Sequence, residues 1–553
     1  MDAREGLRQT IDEQQRRLRK DIPSDREAAV VALLRDQDRV PNGASREPVP
    51  DLVSGHRLAN LGGNKALQVC LEAGNEVTAP TEGPVLTGNE LDSWADRFLR
   101  QCSDLAEAET VLEHCETGFM RLAMDSDGAF HAWIATKRTP TSWRERADYD
   151  WWAAWLAERH EPELRALRLE RPTAATGGSA TGTYDHRLAA VHLAMMSYQM
   201  GYPSDAAIGG GTVQTWRDVL GQLIARTLAA RDRGEAAVLR REPTLVAELA
   251  TALSLEPGQV GHALAALTLD RGNAAWHAAV PGVAAAPLVR VGPDHLVLSH
   301  YGLTTEPLLF LARELRRRAA QEYHNAAWLR EDVFRQDLYA LFRDRRFVTA
   351  PSRIQLRRGG GDIRTDIDAV VFDRKTGTLG VFELKSQDPF ARSLAERTRQ
   401  RDNFFHANRQ VSGVLAWLNR PGAADEILGR FDSRSARTFR VQKVYPFVLG
   451  RYLAHFSDGP EPDRRAAWGT WPQLLRILGG QSVRASDASP IASLFANLTK
   501  GTSSVPPAAG GPRRDLSVGA VRLIVHPSLA AYRTSADAAD APGASQDAAR
   551  PSS

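Results

Sequence analysis

This chain is poor in cysteine and in lysine, and each shortage narrows what the protein can be. Cys70, Cys102 and Cys115 are its only cysteines in 553 residues, and their spacing is not that of a metal site. Such sparse thiols are typical of a reducing compartment, so we predict a cytoplasmic location and buried thiols that bind no metal. Only seven of the 70 basic residues are lysine, and the rest are arginine. Where a lysine does occur, a chemical reason for it is therefore worth seeking.

Long apolar runs and nucleotide-binding loops are also missing. Apolar runs such as PLVRVGPDHLVL end well short of the roughly 18 residues that span a bilayer, and the first 20 residues have no apolar signal core. The Gly-rich stretches GGGT and RRGGGD are not followed by Gly-Lys-Ser/Thr, and no Gly-x-Ser-x-Gly occurs. These absences argue against a membrane-spanning protein, an ATP-driven motor and a serine hydrolase.

The length and the changes in composition predict several regions rather than one core. We expect a multidomain α+β protein in which a helical N-terminal half precedes an α/β domain with a mixed central sheet. The small residues of 171–185 indicate the first boundary. The predicted regions are a mostly helical one at 1–170, a helical domain at 186–310, an α/β domain at 320–455, a helical extension at 456–497 and a disordered tail at 498–553.

The second region contains a weak nucleic-acid-binding pattern. Residues 243–270 predict two short helices joined at 255–258, and 286–302 predict a hairpin, which is the order expected of a winged helix. The second helix carries Gln259 and His262 but no Arg or Lys before Arg271, which is a poor surface for phosphates. A plain helical packing unit, or a surface for a protein partner in the helical half, remains an alternative.

The stretch with the clearest candidate catalytic residues is TDIDAVVFDRKTGTLGVFELKSQ, residues 365–387. Two strand-like runs flank a turn, and strand alternation places Glu383 and Lys385 on one face and Asp366 and Asp368 on one face of the preceding strand. In a hairpin these groups would meet at one edge of the sheet. Carboxylate oxygens are the ligands that Mg²⁺ prefers, and a lysine can hold a phosphate oxygen and an attacking water.

This arrangement resembles the PD-(D/E)xK, or restriction-endonuclease-like, nuclease superfamily over about 320–455. The superfamily pattern is an Asp at one strand, a short hairpin and then Glu-x-Lys; Asp368, 15 residues before Glu383, fits it better than Asp366. The resemblance implies a nuclease dependent on Mg²⁺ or Mn²⁺, with Asp368 and Glu383 as metal ligands and Lys385 as the third catalytic residue. It also implies auxiliary roles for Glu331 on the preceding helix, with Asp332 as its competitor, and for Gln387 and Gln410.

The segment after Lys385 is basic and is predicted to be helical. Its arginines could follow a phosphate backbone, or they could be a solvated face in an arginine-rich protein. They are Arg392, Arg397, Arg399, Arg401 and Arg409. We expect hydrolysis of nucleic acid, DNA rather than RNA, and the superfamily suggests restriction or defence by analogy alone. The alternatives are a catalytically inactive nucleic-acid-binding or regulatory protein that uses the nuclease fold as a scaffold, and a sensor that binds a protein partner.

Overall fold

The protein has a mixed α/β architecture that is 58% helical and contains several sheets. The computed structural model describes residues 2–39, 61–72, 88–116, 118, 120–134, 141–170, 178–235, 237–279, 284–357, 363–388, 394–454, 462–484, 486–504 and 513–526. Within these residues, no helix has both the length and the apolar character needed to cross a membrane.

The N-terminal region, which was predicted to be mostly helical, is a layer of helices with one hairpin. Its helices are α1 (Ala3–Lys20), α2 (Arg26–Arg39), α3 (Gly63–Glu72) and α4 (Gly88–Glu116). Their apolar faces form one core, which contains the three cysteines as buried free thiols. A hairpin follows, formed by β1 (Met120–Met124) and β2 (Phe130–Ile134) and joined through a turn that the Asp125 side chain caps.

The middle region is mostly helical and contains a small sheet. Residues 171–177 of the predicted linker lie outside the described residues, and a helix begins at Gly178. The elements are α5 (Thr141–Leu169), α6 (Gly178–Met195), β3 (Ala207–Ile208), β4 (Gly211–Thr212), α7 (Val213–Asp232), β5 (Val238–Arg241), α8 (Glu242–Leu253), α9 (Pro257–Leu267), β6 (Thr268–Leu269), α10 (Ala274–Ala278), β7 (Leu288–Arg290), β8 (His295–Leu298), α11 (His300–Thr304), α12 (Pro307–Arg318) and α13 (Ala320–Asn325).

The predicted helix–turn–helix and hairpin are present as α8, α9, β7 and β8. Ser254 ends α8 in the left-handed conformation, and Glu256 and Gln259 form a capping box at the start of α9. The hairpin belongs to a four-stranded sheet of order β5-β8-β7-β6. Gln259 and His262 are exposed on α9, so DNA reading by this helix stays a prediction.

The third region is built around a five-stranded mixed sheet. Its elements are α14 (Ala327–Ala340), β9 (Phe347–Thr349), β10 (Ile354–Arg357), β11 (Ile363–Ile367), β12 (Ala369–Asp373), β13 (Thr378–Lys385), α15 (Leu394–Leu418), α16 (Ala423–Phe431), α17 (Ser433–Thr438), β14 (Lys443–Gly450), β15 (Ala467–Thr470), α18 (Trp471–Ile477) and α19 (Pro490–Ser504). The strand order is β15-β14-β13-β12-β9; β12 is antiparallel to β9 and β13, and β13, β14 and β15 are parallel. The prediction of 456–497 as purely helical is wrong, because the buried run at 467–470 extends this sheet.

The central strand β13 has a core on each face. Phe382 and Leu384 pack with Phe334 and Leu338 of α14, as alternation predicted. Residues on the opposite face of the same strand pack beneath α15. The Glu383 and Lys385 side chains alternate with Leu384, so they extend toward the α15 side at the carboxyl end of the strand.

The stretch preceding β13 differs from the sequence prediction at one place. The sequence predicted one strand with Asp366 and Asp368 on the same face, but the chain bends at Asp368 and changes partner there. β11 pairs with β10, whereas β12 pairs with β13. Asp366 and Asp368 therefore do not occupy equivalent positions on one strand. The bend exposes Asp366 partly and carries the Asp368 carboxyl inward.

The C-terminal tail at 498–553 was predicted to be disordered, but parts of it form a helix and two strands. Helix α19 covers its first residues, and β16 (Arg514–Val518) and β17 (Val521–His526) form a hairpin beside the N-terminal hairpin. β17 runs parallel to β2, giving the order β1-β2-β17-β16. Burial of the alternating Leu516, Val518, Leu523 and Val525 explains why this segment is ordered although its flanks have a disorder-like composition.

Candidate active site

Asp368, Glu383 and Lys385 converge at the carboxyl end of β13. Asp368 Oδ2 accepts the backbone N–H of Leu384 at 2.8 Å, which holds this carboxyl against the strand that carries the other two groups. The Lys385 ammonium donates to Glu383 Oε1. Asp368 and Glu383 are buried, at 8% and 4% exposure. The Lys385 carbonyl oxygen accepts the Arg451 N–H at 2.8 Å, so the parallel neighbour β14 fixes the end of the strand.

The electrostatics of this group show two carboxyls that resist simultaneous ionisation. Burial raises the pKa of Glu383 well above its usual range, and the charge of Asp368 raises it further. Burial also raises the pKa of Asp368, although Lys385 and a hydrogen bond with the Glu383 side chain oppose the rise. Burial lowers the pKa of Lys385, but the charges of Glu383 and Asp368 outweigh it, and the net shift is upward. If both carboxyls were ionised, the site would hold more negative charge than one lysine balances.

Glu331 on α14 joins this cluster from the opposite side. Burial, followed by the charge of Asp368, raises its pKa to about 7, and Lys385 opposes that rise. One turn later on the same helix, Arg335 donates to the Asp368 carbonyl oxygen at 3.3 Å. Arg335 also pairs with Asp332, the competing acid. Of the two candidate acids Glu331 and Asp332, it is Glu331 whose pKa is shifted by the charges of Asp368 and Lys385, so the structure brings Glu331 to the site.

Gln410 on α15 links the lysine to the partly exposed aspartate. Its Oε1 accepts from Lys385 Nζ at 3.1 Å, and its Nε2 donates to Asp366 Oδ1 at 3.2 Å. One turn earlier, His406 is exposed, and its pKa is lowered by burial of its ring atoms and by the charge of Lys385. The site therefore opens to solvent between α15 and β11, where the Asp366 side chain is 26% exposed.

Gln387 is the auxiliary candidate that the structure does not bring to the cluster. Its Nε2 donates to the Gln400 carbonyl oxygen at 3.3 Å, so it braces the start of α15. The neighbouring Asp388, whose side chain is 16% exposed, accepts from Arg330 at 2.6 Å, from Arg316 at 3.2 Å and from the Tyr323 hydroxyl at 2.8 Å. This network ties the segment after β13 to α12, α13 and α14.

The five arginines predicted to contact nucleic acid do not all occupy the same surface. Arg392 lies outside the described residues, and Arg397 lies on α15. Arg399 and Arg409 are exposed on α15. Arg401 lies over the Phe405 ring at 5.6 Å and contacts Asp402 at 3.7 Å. Arg409 adjoins the opening, since its charge contributes to the lowered pKa of His406.

Three residues near the site were not singled out from the sequence as site residues. Arg335 lies four positions after Glu331, and His406 lies four before Gln410, so each shares a helix face with a predicted auxiliary residue. Arg353 approaches Asp366 to 3.8 Å from the segment before β10. The helical spacing could have identified the first two, whereas Arg353 is brought close only by the β10–β11 pairing.

The side chains suit a hard cation held by few protein ligands. Among the described residues, no three His, Cys, Asp or Glu are arranged as a complete metal cage. Mg²⁺ needs no such cage, because it commonly takes one or two carboxylates and keeps several waters. The pKa values of Asp368 and Glu383 are both raised, and a bound cation would offset the repulsion between the two carboxylates.

Comparison of the chain with protein-family models, curated proteins and solved structures found no match. The geometry of the site is therefore the basis for assigning its chemistry.

Proposed function

We propose that this protein is a Mg²⁺-dependent nuclease that hydrolyses phosphodiester bonds of nucleic acid, with DNA as the expected substrate. The observation that carries the proposal is the convergence of Asp368, Glu383 and Lys385 at the end of one buried strand. A helix bearing Glu331 before a mixed sheet, followed by a hairpin with Asp and Glu-x-Lys, supports a likeness to the restriction-endonuclease-like fold. No other described constellation combines paired acids with a lysine in this way.

Each residue has a role that follows from its contacts. Asp368 and Glu383 would hold the metal, which when bound lowers the pKa of a water and offsets charge on the phosphate. The Lys385 ammonium is a compact donor that can orient the attacking water and a phosphate oxygen. Gln410 orients the Lys385 and Asp366 side chains by a hydrogen bond to each. Glu331, with a pKa of about 7, can accept a proton near neutral pH. Arg399 and Arg409 would contact flanking phosphates.

The test is cleavage of labelled duplex DNA, single-stranded DNA and RNA by the purified full chain in the presence of MgCl₂. Lys385→Ala should lower the cleavage rate by about 100-fold or more, because it removes a donor directed at developing charge. Binding of the uncut substrate should change far less. Lys443→Ala is a matched control, since Lys443 is exposed at the opposite end of the neighbouring strand β14 and should leave the rate unchanged.

A readout independent of cleavage is the effect of Mg²⁺ on thermal unfolding. Mg²⁺ should raise the Tm of the wild type and raise that of Asp368→Asn much less, because a ligand that binds the folded state stabilises it. Wild-type cleavage by Lys385→Ala would refute the assigned chemistry. Binding of nucleic acid without cleavage of any substrate would instead favour the inactive, nucleic-acid-binding alternative.

A further inference from the structure

Trp328 is a large apolar side chain in an unusual place. The residue is 59% exposed to solvent. A single exposed apolar residue is ordinary on a protein surface, but tryptophan is enriched at binding interfaces and nucleic-acid bases stack on aromatic side chains.

Trp328 lies beside the candidate active site on its helix. Residues three and four apart are neighbours on a helical surface, so Trp328 adjoins Glu331 and Asp332. Glu331 faces Asp368 and Lys385, as its pKa shows, and Arg335 on the next turn contacts the Asp368 carbonyl. Arg330 and Phe334 occupy the buried face of the same helix. Trp328 is therefore at the solvent edge of the side of α14 that borders the site.

Cationic and polar groups occupy the side of the opening formed by α15. His406 and Arg409 are exposed there, and Lys385 lies behind them. A phosphodiester at Lys385 would have these groups along its backbone. A base attached to that backbone would meet the indole of Trp328 if it were directed toward α14.

We propose that Trp328 stacks on an unpaired base next to the scissile phosphate, which makes single-stranded nucleic acid the preferred substrate. This inference rests on the proposed function in placing a phosphodiester at Lys385. In a duplex the faces of the bases are already covered by their neighbours, so the indole can stack only on a base that is outside the helix. A flat aromatic side chain accepts every base, and the resulting preference is for strandedness rather than sequence.

The test is binding of fluorescein-labelled oligonucleotides to the full-length chain in EDTA, where no cleavage interferes. The probes are a thymidine DNA strand of about 20 nucleotides, the corresponding uridine RNA and a duplex of the same length. Trp328→Ala should raise the Kd for both single strands about tenfold or more and the Kd for the duplex less than about threefold. Trp328→Phe should retain most of the affinity, because it keeps an aromatic face.

Leu239→Ala is the matched control, since Leu239 is an exposed apolar residue on β5 and should leave all three Kd values unchanged. Unchanged single-strand binding in Trp328→Ala would overturn the proposal, as would an equal loss for single strands and duplex. The RNA and DNA arms identify which single strand the site favours. The failures can be told apart: Trp328-dependent binding without Mg²⁺-dependent cleavage contradicts the nuclease, whereas cleavage that is indifferent to Trp328 contradicts only the stacking.

Discussion

Replacing Glu331 by glutamine should stabilise the metal-free protein at alkaline pH and leave its stability nearly unchanged in acid. Glu331 has a pKa of about 7 in the folded protein against an ordinary value of 4.5, because it is partly buried and lies near the charge of Asp368. Each pH unit of difference corresponds to about 1.4 kcal/mol, so the upper limit is about 3 kcal/mol. The side chain retains some contact with solvent, and we therefore expect about 1–3 kcal/mol.

The sign follows from the direction of the shift. The folded protein keeps the Glu331 proton to a higher pH than the unfolded chain does. The stabilisation is thus fully present below pH 4.5 and is lost as the pH rises through about 7. Glutamine has the same shape and no charge, so its stability does not carry this dependence.

Urea unfolding of wild type and Glu331→Gln in EDTA at about pH 5 and about pH 8 measures the difference. The variant should have the greater free energy of unfolding at the higher pH and a value close to wild type at the lower pH. Glu331→Asp is the control, because it retains the carboxyl and should follow the wild-type dependence. An identical difference between wild type and Glu331→Gln at both pH values would refute the burial of an ionisable Glu331 beside Asp368.

Two further predictions concern the framework around the site and the separate sheet that contains β17. Asp388→Ala should lower the free energy of unfolding in urea by about 3–5 kcal/mol, because it leaves the buried Arg330 without its carboxylate partner. Asp388→Asn should lower it by less. A decrease below about 1 kcal/mol in Asp388→Ala would show that this network does not hold α14 to the segment after β13. Burial and then the neighbouring His131 and Arg513 lower the pKa of His526, while Asp515 opposes them. The stability contributed by neutral His526 is therefore fully present above its ordinary pKa of 6.5 and is lost as the pH falls below 6.5 and through the lowered pKa of the folded protein. Amides of β17 should lose hydrogen-exchange protection at about pH 5.5 relative to about pH 7.5, after correction for intrinsic rates, and less so in His526→Gln; equal protection at both pH values would contradict this.

Local patterns were sufficient for much of the secondary structure. Alternation predicted a strand with Glu383 and Lys385 on one face and Phe382 and Leu384 on the other, which packs against α14. Helical periodicity predicted α8 and α9. These patterns are readable because each depends on neighbours within a few residues. The tail shows where such reading fails: composition predicted disorder for 498–553, but β17 is stabilised by pairing with β2, almost 400 residues earlier in the chain.

For the candidate site, the sequence by itself determined the chemical groups and the strand that carries Glu383 and Lys385. The tertiary structure decided which other groups reach them. The bend at Asp368 changes strand partners and turns that carboxyl inward, Gln410 reaches Lys385 from a helix 25 residues away, and Gln387 is drawn instead to the start of α15. Strand alternation is a local property of the backbone, whereas these contacts depend on how β11, α14 and α15 pack around one strand end. That packing sets the pKa values and therefore the chemistry that the site can perform.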